Sequence, residues 1–172
     1  DDFSGKDANL TLEDISYIMC RGGWPQAATM RDRRIALDQA FDYVDAVAES
    51  DLTRVDGVKK DANRVRRILK SYARNQGTQA SLSVLLDDIK SNENETISEP
   101  TLGTYLTALQ KIYLIEDMPA WNPNLRSKTA IRSANTRYFV DPSVATAALG
   151  LGPNDLLNDL NTMGLLFETM AV

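Results

Sequence analysis

Apolar residues recur at helical spacing in three consecutive stretches in the middle of the chain. Over residues 61–75 they recur every three or four positions and so share one helix face; they are Ala62, Val65, Leu69, Tyr72 and Ala73. A second helix is predicted over 81–90, where Ser81 is the N-cap, with Leu82, Leu85, Leu86 and Ile89 inward. A third begins at Ser98 and Pro100 and continues to about Tyr113, with Leu102, Leu106, Leu109 and Ile112 inward.

Two short extended runs follow the third helix. Leu114 and Ile115 begin the first, and residues 136–140 form a second run rich in aromatic and β-branched residues. The loop between them carries three basic residues, Arg126, Lys128 and Arg132. This order predicts a winged helix-turn-helix over residues 57–142, with the basic loop as the wing. The alternative is a flexible loop whose charges only keep it in solution.

Helical patterns also flank this unit. A short helix is predicted over 12–19, with Thr11 and Asp14 in a capping arrangement, and 51–57 is predicted as a polar hinge. A longer helix is predicted over 32–50, with the inward residues Ile35, Leu37, Ala40, Phe41, Val44 and Val47 or Ala48. Pro142 opens another helix, and an apolar stretch follows Asp155. The expected fold is mainly α with a small β-wing, divided into 1–56, 57–142 and 143–172.

The segment RGGWP, residues 21–25, interrupts the N-terminal helices. Its two glycines allow positive φ, and Pro25 fixes a rigid turn. Trp24 then either packs into the core or contacts a ligand or a neighbouring domain.

Composition excludes several classes of site. The 172 residues are 43% hydrophobic, enough for a core, but no run approaches the roughly 20 apolar residues of a membrane span. The chain has no histidine and one cysteine, Cys20, which removes the usual zinc ligands and the commonest general base. There is no GxxxxGK[ST] phosphate loop. We therefore expect no catalysis, cofactor or metal in this chain, and the single cysteine favours a cytoplasmic protein.

Charge is distributed unevenly behind the net value of −5. Residues 1–56 carry 12 acidic and six basic residues, whereas residues 59–74 carry seven basic residues and one acid, Asp61. No acid lies between Asp117 and Asp141. This asymmetry points to an anionic partner such as a DNA backbone, for which the candidate contacts are Arg64, Arg67, Lys111, Arg126, Lys128 and Arg132. The third helix is poorly suited to sequence-specific DNA recognition. The side chains that could contact base edges are only Thr104, Tyr105, Thr107, Gln110 and Lys111.

Six segments together resemble a known family. In chain order they are RGGWP, YVDAVAESDL, SEPTLGTYLTALQKIYLIEDMPAW, LRSKTAIR, RYFVDPSVATAALG and MGLLFE. The combination resembles the C-terminal half of a large prokaryotic family of AAA+ type ATPases. Those proteins have a P-loop core, a helical lid, a winged helix and a domain of unknown function related to PD-(D/E)XK nucleases. The resemblance covers nearly the whole chain and implies a lid over 1–56 and the start of the nuclease-like domain over 143–172.

The resemblance also implies roles for individual residues. Gly23, Trp24 and Pro25 become candidates for sensing the nucleotide state of the intact protein. Glu168 matches a helical glutamate of nuclease-like folds, as a remnant without its metal-binding strands. The chain starts at Asp1 and ends in an apolar run without a C-cap signal, so we expect it to be part of a longer protein.

The expected function follows from these roles. It is that of a non-catalytic regulatory and interaction fragment of an AAA+ type ATP-binding protein. ATP and Mg²⁺ would bind the parent protein, and the partners would be its own ATPase core and nuclease-like domain, with no membrane. The alternative is a DNA-binding winged helix that contacts phosphates through the basic helix and the wing.

Overall fold

The structure, a computed structural model that describes residues 9–119 and 135–171, is mainly helical with one small antiparallel sheet. The first helices are α1 (Leu12–Arg21), α2 (Pro25–Thr29), α3 (Arg33–Ala46), a π-helical turn (Val47–Asp51) and α4 (Leu52–Asp56). The middle contains α5 (Ala62–Arg74), α6 (Leu82–Asn92), α7 (Glu99–Lys111), β1 (Ile115–Met118) and β2 (Thr136–Phe139). The chain continues with α8 (Pro142–Leu149), α9 (Pro153–Asn158), α10 (Leu160–Phe167) and a 3₁₀ turn (Glu168–Met170).

The predicted helix starts are confirmed where a side chain caps the helix. Thr11 Oγ1 accepts the N–H of Asp14 at 3.1 Å, and Asp14 Oδ2 accepts the N–H of Thr11 at 3.2 Å, a complete capping box. Ser81 and Ser98 cap α6 and α7 in the same way, each accepting an N–H three residues later. Because a cap depends on neighbours in the chain, short-range sequence patterns were enough to locate it.

The inward face of α3 differs from the prediction. Ile35 and Phe41 were expected inside, but their side chains are 51% and 40% exposed, so both assignments are wrong. The buried stripe consists instead of Ala36, Ala40, Val44 and, in the π-helical turn, Val47 and Ala48. Alanines let α3 lie close to α8, which also presents alanines, so packing with a distant helix sets the face.

Residues 51–57 were expected to be a polar hinge, and this too is wrong. They contain the short helix α4, whose first residue, Leu52, is fully buried in the core. α4 ends at Gly57 in a left-handed conformation with φ of +70°.

Helices α5, α6 and α7 form the predicted consecutive helical unit. Leu102, Leu106 and Leu109 of α7 are buried, as predicted. Tyr105 was expected on the outward face, but it is only 6% exposed and its hydroxyl accepts the N–H of Asp61 at 3.3 Å. The residue therefore joins α7 to the start of α5 and is unable to reach a base edge.

Strands β1 and β2 pair antiparallel from Ile115 opposite Phe139 to Met118 opposite Thr136. A further short segment lies on the other side of β2, since Gly77 N–H donates to Arg137 O at 2.9 Å and Arg137 N–H donates to Thr78 O at 3.0 Å. The facing pair Asp117 and Arg137 forms a salt bridge in which both side chains are almost buried. Tyr72 from α5 donates its hydroxyl to Asp117 Oδ1 at 2.8 Å, which fastens the sheet to the helices.

Helix α8 lies at the centre of the core. All residues from Pro142 to Ala148 are buried, and α1, α3 and α5 pack around them. One hydrophobic cluster extends from Met19 in α1 to Leu166 in α10. The core therefore contains residues from all three predicted segments, and the boundaries at 56 and 142 stay predictions.

Candidate functional site

The RGGWP turn lies against the N-terminus of α8. Gly22 ends α1 with φ of +74°, and its N–H donates to Ile18 O at 2.8 Å. A Cβ on Gly22 would lie 2.6 Å from Asp141 Oδ1 and 2.8 Å from Trp24 Nε1. Both the left-handed backbone and the close approach therefore require glycine at this position.

One carboxylate connects the turn to the helix. Asp141 is the N-cap of α8, and its Oδ1 accepts the N–H of Ser143 at 2.8 Å and the hydroxyl of Ser143 at 2.6 Å. Its other oxygen, Oδ2, accepts the N–H of Gly23 at 2.7 Å. The carboxylate that caps the central helix thus also binds the turn.

Trp24 makes the second contact between the turn and α8. Its Nε1 donates to Ser143 Oγ at 2.9 Å, and its ring lies 4.6 Å from the ring of Tyr43, tilted by 50°. The side chain is half-buried against the core, whereas Gly23 and Pro25 are exposed. Of the two alternatives for Trp24, the structure shows core packing; nucleotide sensing by residues 23–25 in an intact protein stays a prediction.

A small cleft of about 250 Å³ opens beside this turn. Its lining includes Arg21, Gly23, Asp141, Pro142 and Met170. The Nε of Arg21 donates to Gly22 O at 3.1 Å, so the guanidinium is held at the rim. Exposed backbone with one cation and one carboxylate suits polar contacts to another surface.

The basic helix α5 is covered by carboxylates. Arg64 Nε lies 2.6 Å from Glu95 Oε1, and Arg67 Nη1 lies 2.8 Å from Glu95 Oε2. Arg66 contacts Asp45 and Glu49 at 2.8 and 2.9 Å, and Arg74 contacts Asp88 and Glu93 at 2.7 and 2.9 Å. In the sequence only Asp61 lies among these bases. Folding brings five further carboxylates to them, so DNA phosphates would have to displace Glu95 to reach Arg64 or Arg67.

The pKa of Glu95 reflects this arrangement. Burial by itself raises the pKa of the carboxyl, but hydrogen bonds from Arg67 and Arg64 outweigh burial and hold the pKa below its usual 4.5. The side chain is only 12% exposed, and the two arginines that pair with its oxygens keep it charged at neutral pH.

The remaining predicted contacts are dispersed. Lys111 is exposed at the end of α7, beside a cleft of about 370 Å³ lined also by Pro100, Gly103, Thr104 and Thr107. Arg126, Lys128 and Arg132 lie outside the residues that the structure describes. The structure therefore brings Arg64 and Arg67 together and places Lys111 on a different helix.

The two remaining groups that the sequence singled out are Glu168 and Cys20. Glu168 is exposed and accepts the hydroxyl of Tyr138 at 3.2 Å. Burial raises the pKa of the Cys20 thiol to about 11, so it is a poor nucleophile at neutral pH. Among residues 9–119 and 135–171, no group of three or more His, Cys, Asp or Glu side chains could hold a metal ion. In the same ranges no helix is both long and apolar enough to cross a membrane.

A family model described as a domain of unknown function, DUF8612, matches residues 12–155. The chain belongs to the DUF8612 family. The matched residues extend from the start of α1 into α9, so they include the turn, the basic helix, the sheet and α8. No curated protein and no solved structure matches this DUF8612 chain.

Asp141 and Ser143 are the functional candidates that the sequence patterns missed. Pro142 and Ser143 correctly predicted the start of a helix, and an aspartate before them is typical of an N-cap. The contacts of these residues with Gly23 and Trp24 cross 118 and 119 positions of the DUF8612 chain. No local pattern encodes such a contact, although two glycines in succession indicate close backbone approach.

Proposed function

We propose that this chain is the non-catalytic regulatory and interaction part of an AAA+ type ATP-binding protein. In this proposal the RGGWP turn faces the ATPase core, and nucleotide state is relayed through α8 to the rest of the helical body. The proposal places the protein in the cytoplasm. ATP and Mg²⁺ would bind the core of the parent protein and not this chain.

The observation that carries the proposal is the double contact of the turn with α8. Asp141 binds Gly23 and caps α8, while Ser143 binds Trp24. α8 is buried among α1, α3 and α5, and close-packed helices move as units instead of deforming locally. A shift of the exposed backbone at Gly23 would therefore be passed to three other helices.

The order of elements supports a winged helix as the recipient of this signal. Helices α5, α6 and α7 precede β1 and β2, and the turn at Gly77 and Thr78 forms hydrogen bonds to β2 on the side away from β1. The pairing of the α5 arginines with carboxylates makes this unit better suited to intramolecular packing than to phosphate binding.

The test uses linkage in the full-length parent protein. If the turn relays nucleotide state, weakening it must alter nucleotide affinity, because coupling between sites is reciprocal. Asp141→Asn, which weakens the acceptor of Gly23, should change the ratio of ATP to ADP affinity by about fivefold. Asp159→Asn, which changes the N-cap of α10 in the same way, is the matched control. An unchanged ratio in a folded Asp141→Asn protein would contradict the proposal.

DNA binding is the second candidate, and the exposed face of α7 favours it. Thr104, Thr107, Gln110 and Lys111 lie on that face, and the sequence from Pro100 to Lys111 contains no acid. Anisotropy of labelled duplex and single-stranded DNA at two salt concentrations tests it. Binding that weakens steeply with salt and disappears when Arg126, Lys128 and Arg132 are changed to Glu would support DNA binding. Absence of binding at low salt would exclude it.

A further inference from the structure

Strand β1 has an edge that is open within the described part of the chain. The backbone groups of Arg137 bond to Gly77 and Thr78, on the side of β2 away from β1. In an antiparallel pair, two opposite residues either bond to each other or both direct their backbone groups outward. Asp117 lies opposite Arg137, so its N–H and C=O groups point away from β2. The same holds for Ile115, two residues earlier. Among residues 9–119 and 135–171, no backbone hydrogen bond satisfies these groups. A four-residue edge of this kind can accept another strand.

Tyr113, two residues before β1, combines a left-handed backbone conformation with an exposed side chain. Its N–H donates to Gln110 O at 3.0 Å, and the N–H of Leu114 donates to Leu109 O at 3.1 Å. These two bonds define a Schellman motif with Tyr113 at the position that usually holds glycine, and its φ is indeed +55°. The side chain is nevertheless 81% exposed. Tyr113 therefore places a large aromatic side chain in solvent from a backbone conformation that favours glycine, and this combination makes it a candidate for contact with a partner.

Two clefts meet at this edge. One of about 360 Å³ is lined by Gln110, Tyr113 and Ile115, and one of about 460 Å³ by Met118, Tyr138 and Thr169. Both are also lined by Glu116, Asp117 and Val140. Val140 lies opposite Leu114, so it shares a face of the sheet with Glu116 and Met118. Val140 and Met118 are 46% and 38% exposed, so this face offers apolar area before and after Glu116 along the strand.

The charge of the two clefts at the β1 edge indicates which kind of partner can bind there. Asp117 is neutralised by Arg137, whereas Glu116 is exposed. Neither cleft is lined by a lysine or an arginine among the described residues. A partner that fits must therefore supply a cation near Glu116 and apolar side chains beside it.

We propose that the β1 edge and Tyr113 bind an extended peptide segment of a partner protein by strand addition. The peptide backbone pairs with Ile115 and Asp117, a lysine or arginine faces Glu116, and apolar side chains contact Tyr113, Val140 and Met118. Main-chain pairing supplies affinity in this mode, and the alternating side chains supply specificity. The inference stands apart from the ATPase proposal, because it uses neither the RGGWP turn nor α8.

The probe is a short blocked peptide, Val-Thr-Lys-Thr-Val, titrated into the ¹⁵N-labelled chain. Its lysine and its two valines lie on one strand face, so they can meet Glu116 and the apolar side chains before and after it. The amide signals of Ile115 and Asp117 should shift and become protected from hydrogen exchange. The same peptide with glutamate in place of lysine should bind about tenfold more weakly, because like charges meet at Glu116. The Val-Thr-Lys-Thr-Val peptide N-methylated at alternate residues should not bind, because it lacks the donors. Equal binding of the three peptides, or no shift at Ile115 and Asp117, would overturn the proposal.

Variants of the chain separate binding from folding. Tyr113→Gly should raise the melting temperature by relieving the left-handed conformation, and should weaken peptide binding about fivefold. Glu116→Gln should weaken binding of the Val-Thr-Lys-Thr-Val peptide about threefold with no effect on melting. A Tyr113→Gly chain that binds the peptide as tightly as the original would remove Tyr113 from the site and overturn the proposal.

Discussion

The indole of Trp24 and the hydroxyl of Ser143 are joined by a hydrogen bond of 2.9 Å that connects the turn after α1 to the first turn of α8. Ser143 is fully buried and also donates to Asp141 Oδ1, so its hydroxyl serves as acceptor and donor at once. The bond belongs to a short network, Trp24 to Ser143 to Asp141, that ends at the N–H of Gly23.

Breaking this network should reduce stability in a measurable way. Ser143→Ala leaves the half-buried indole N–H without its acceptor, at a cost of about 1–2 kcal/mol in the free energy of unfolding. Trp24→Phe removes the donor and keeps a ring against Tyr43. Urea unfolding of both variants and of the double variant gives the coupling energy, which should be about 1 kcal/mol. Strict additivity would show that the bond does not contribute.

The cross-strand pair of Asp117 and Arg137 should be far more sensitive to truncation. Their side chains are 11% and 12% exposed, and Tyr72 donates to the same carboxylate. Arg137→Ala leaves that carboxylate buried and uncompensated, so we expect a loss of about 3–5 kcal/mol. Arg54→Ala, which breaks a pair whose arginine is 78% exposed, should cost less than about 1 kcal/mol. Similar losses for both variants in denaturant unfolding would contradict the structure of the sheet.

The arginine pairing of Glu95 predicts a pH dependence. The pKa of Glu95 is lowered in the folded chain, so its stabilisation is present above the ordinary pKa of 4.5 and is lost as pH falls through the lower folded value. Glu95→Gln should lower stability at neutral pH by about 1 kcal/mol, a figure discounted for the partial exposure of both arginines. It should also flatten the fall of melting temperature below pH 4.5. Glu116→Gln, the same change at an exposed site, should leave both unchanged.

The assignment of the buried face of α7 can be tested with a substitution that creates a cavity. Leu106 is 5% exposed, so Leu106→Ala should reduce the free energy of unfolding by about 2–5 kcal/mol. Thr107→Ala, at the adjacent exposed position, should change it by less than about 0.5 kcal/mol. An unchanged melting temperature for Leu106→Ala would mean that the face of this helix is wrongly assigned.

Local features of the fold could be predicted from the sequence, whereas features that depend on distant contacts could not. The caps at Thr11, Ser81 and Ser98 and the apolar stripe of α7 follow from residues within one or two turns. The face of α3 could not be assigned, because Ala36 and Ala40 become inward only through packing with α8. The sequences of α3 and α7 are both amphipathic, but the helix that packs against each of them decides which of two adjacent stripes of side chains is buried.

The same distinction applies to the candidate site. The glycines of RGGWP indicated a special turn, and Gly22 does require positive φ. The basic helix indicated an anion-binding face, yet Glu95 reaches Arg64 from 31 positions away. Charge counted along the chain misses such pairs, because it ignores the acids that folding brings alongside.

The proposed relay can be tested by hydrogen–deuterium exchange of a protein that joins this chain to the proposed ATPase core, compared between its complexes with ATP and with ADP. If the relay operates, exchange in residues 21–25 and in α8 changes together between the two states. Ser143→Ala should then weaken this correlation, while Thr107→Ala should not. Identical exchange of the turn and α8 in both nucleotide states would contradict the proposed relay.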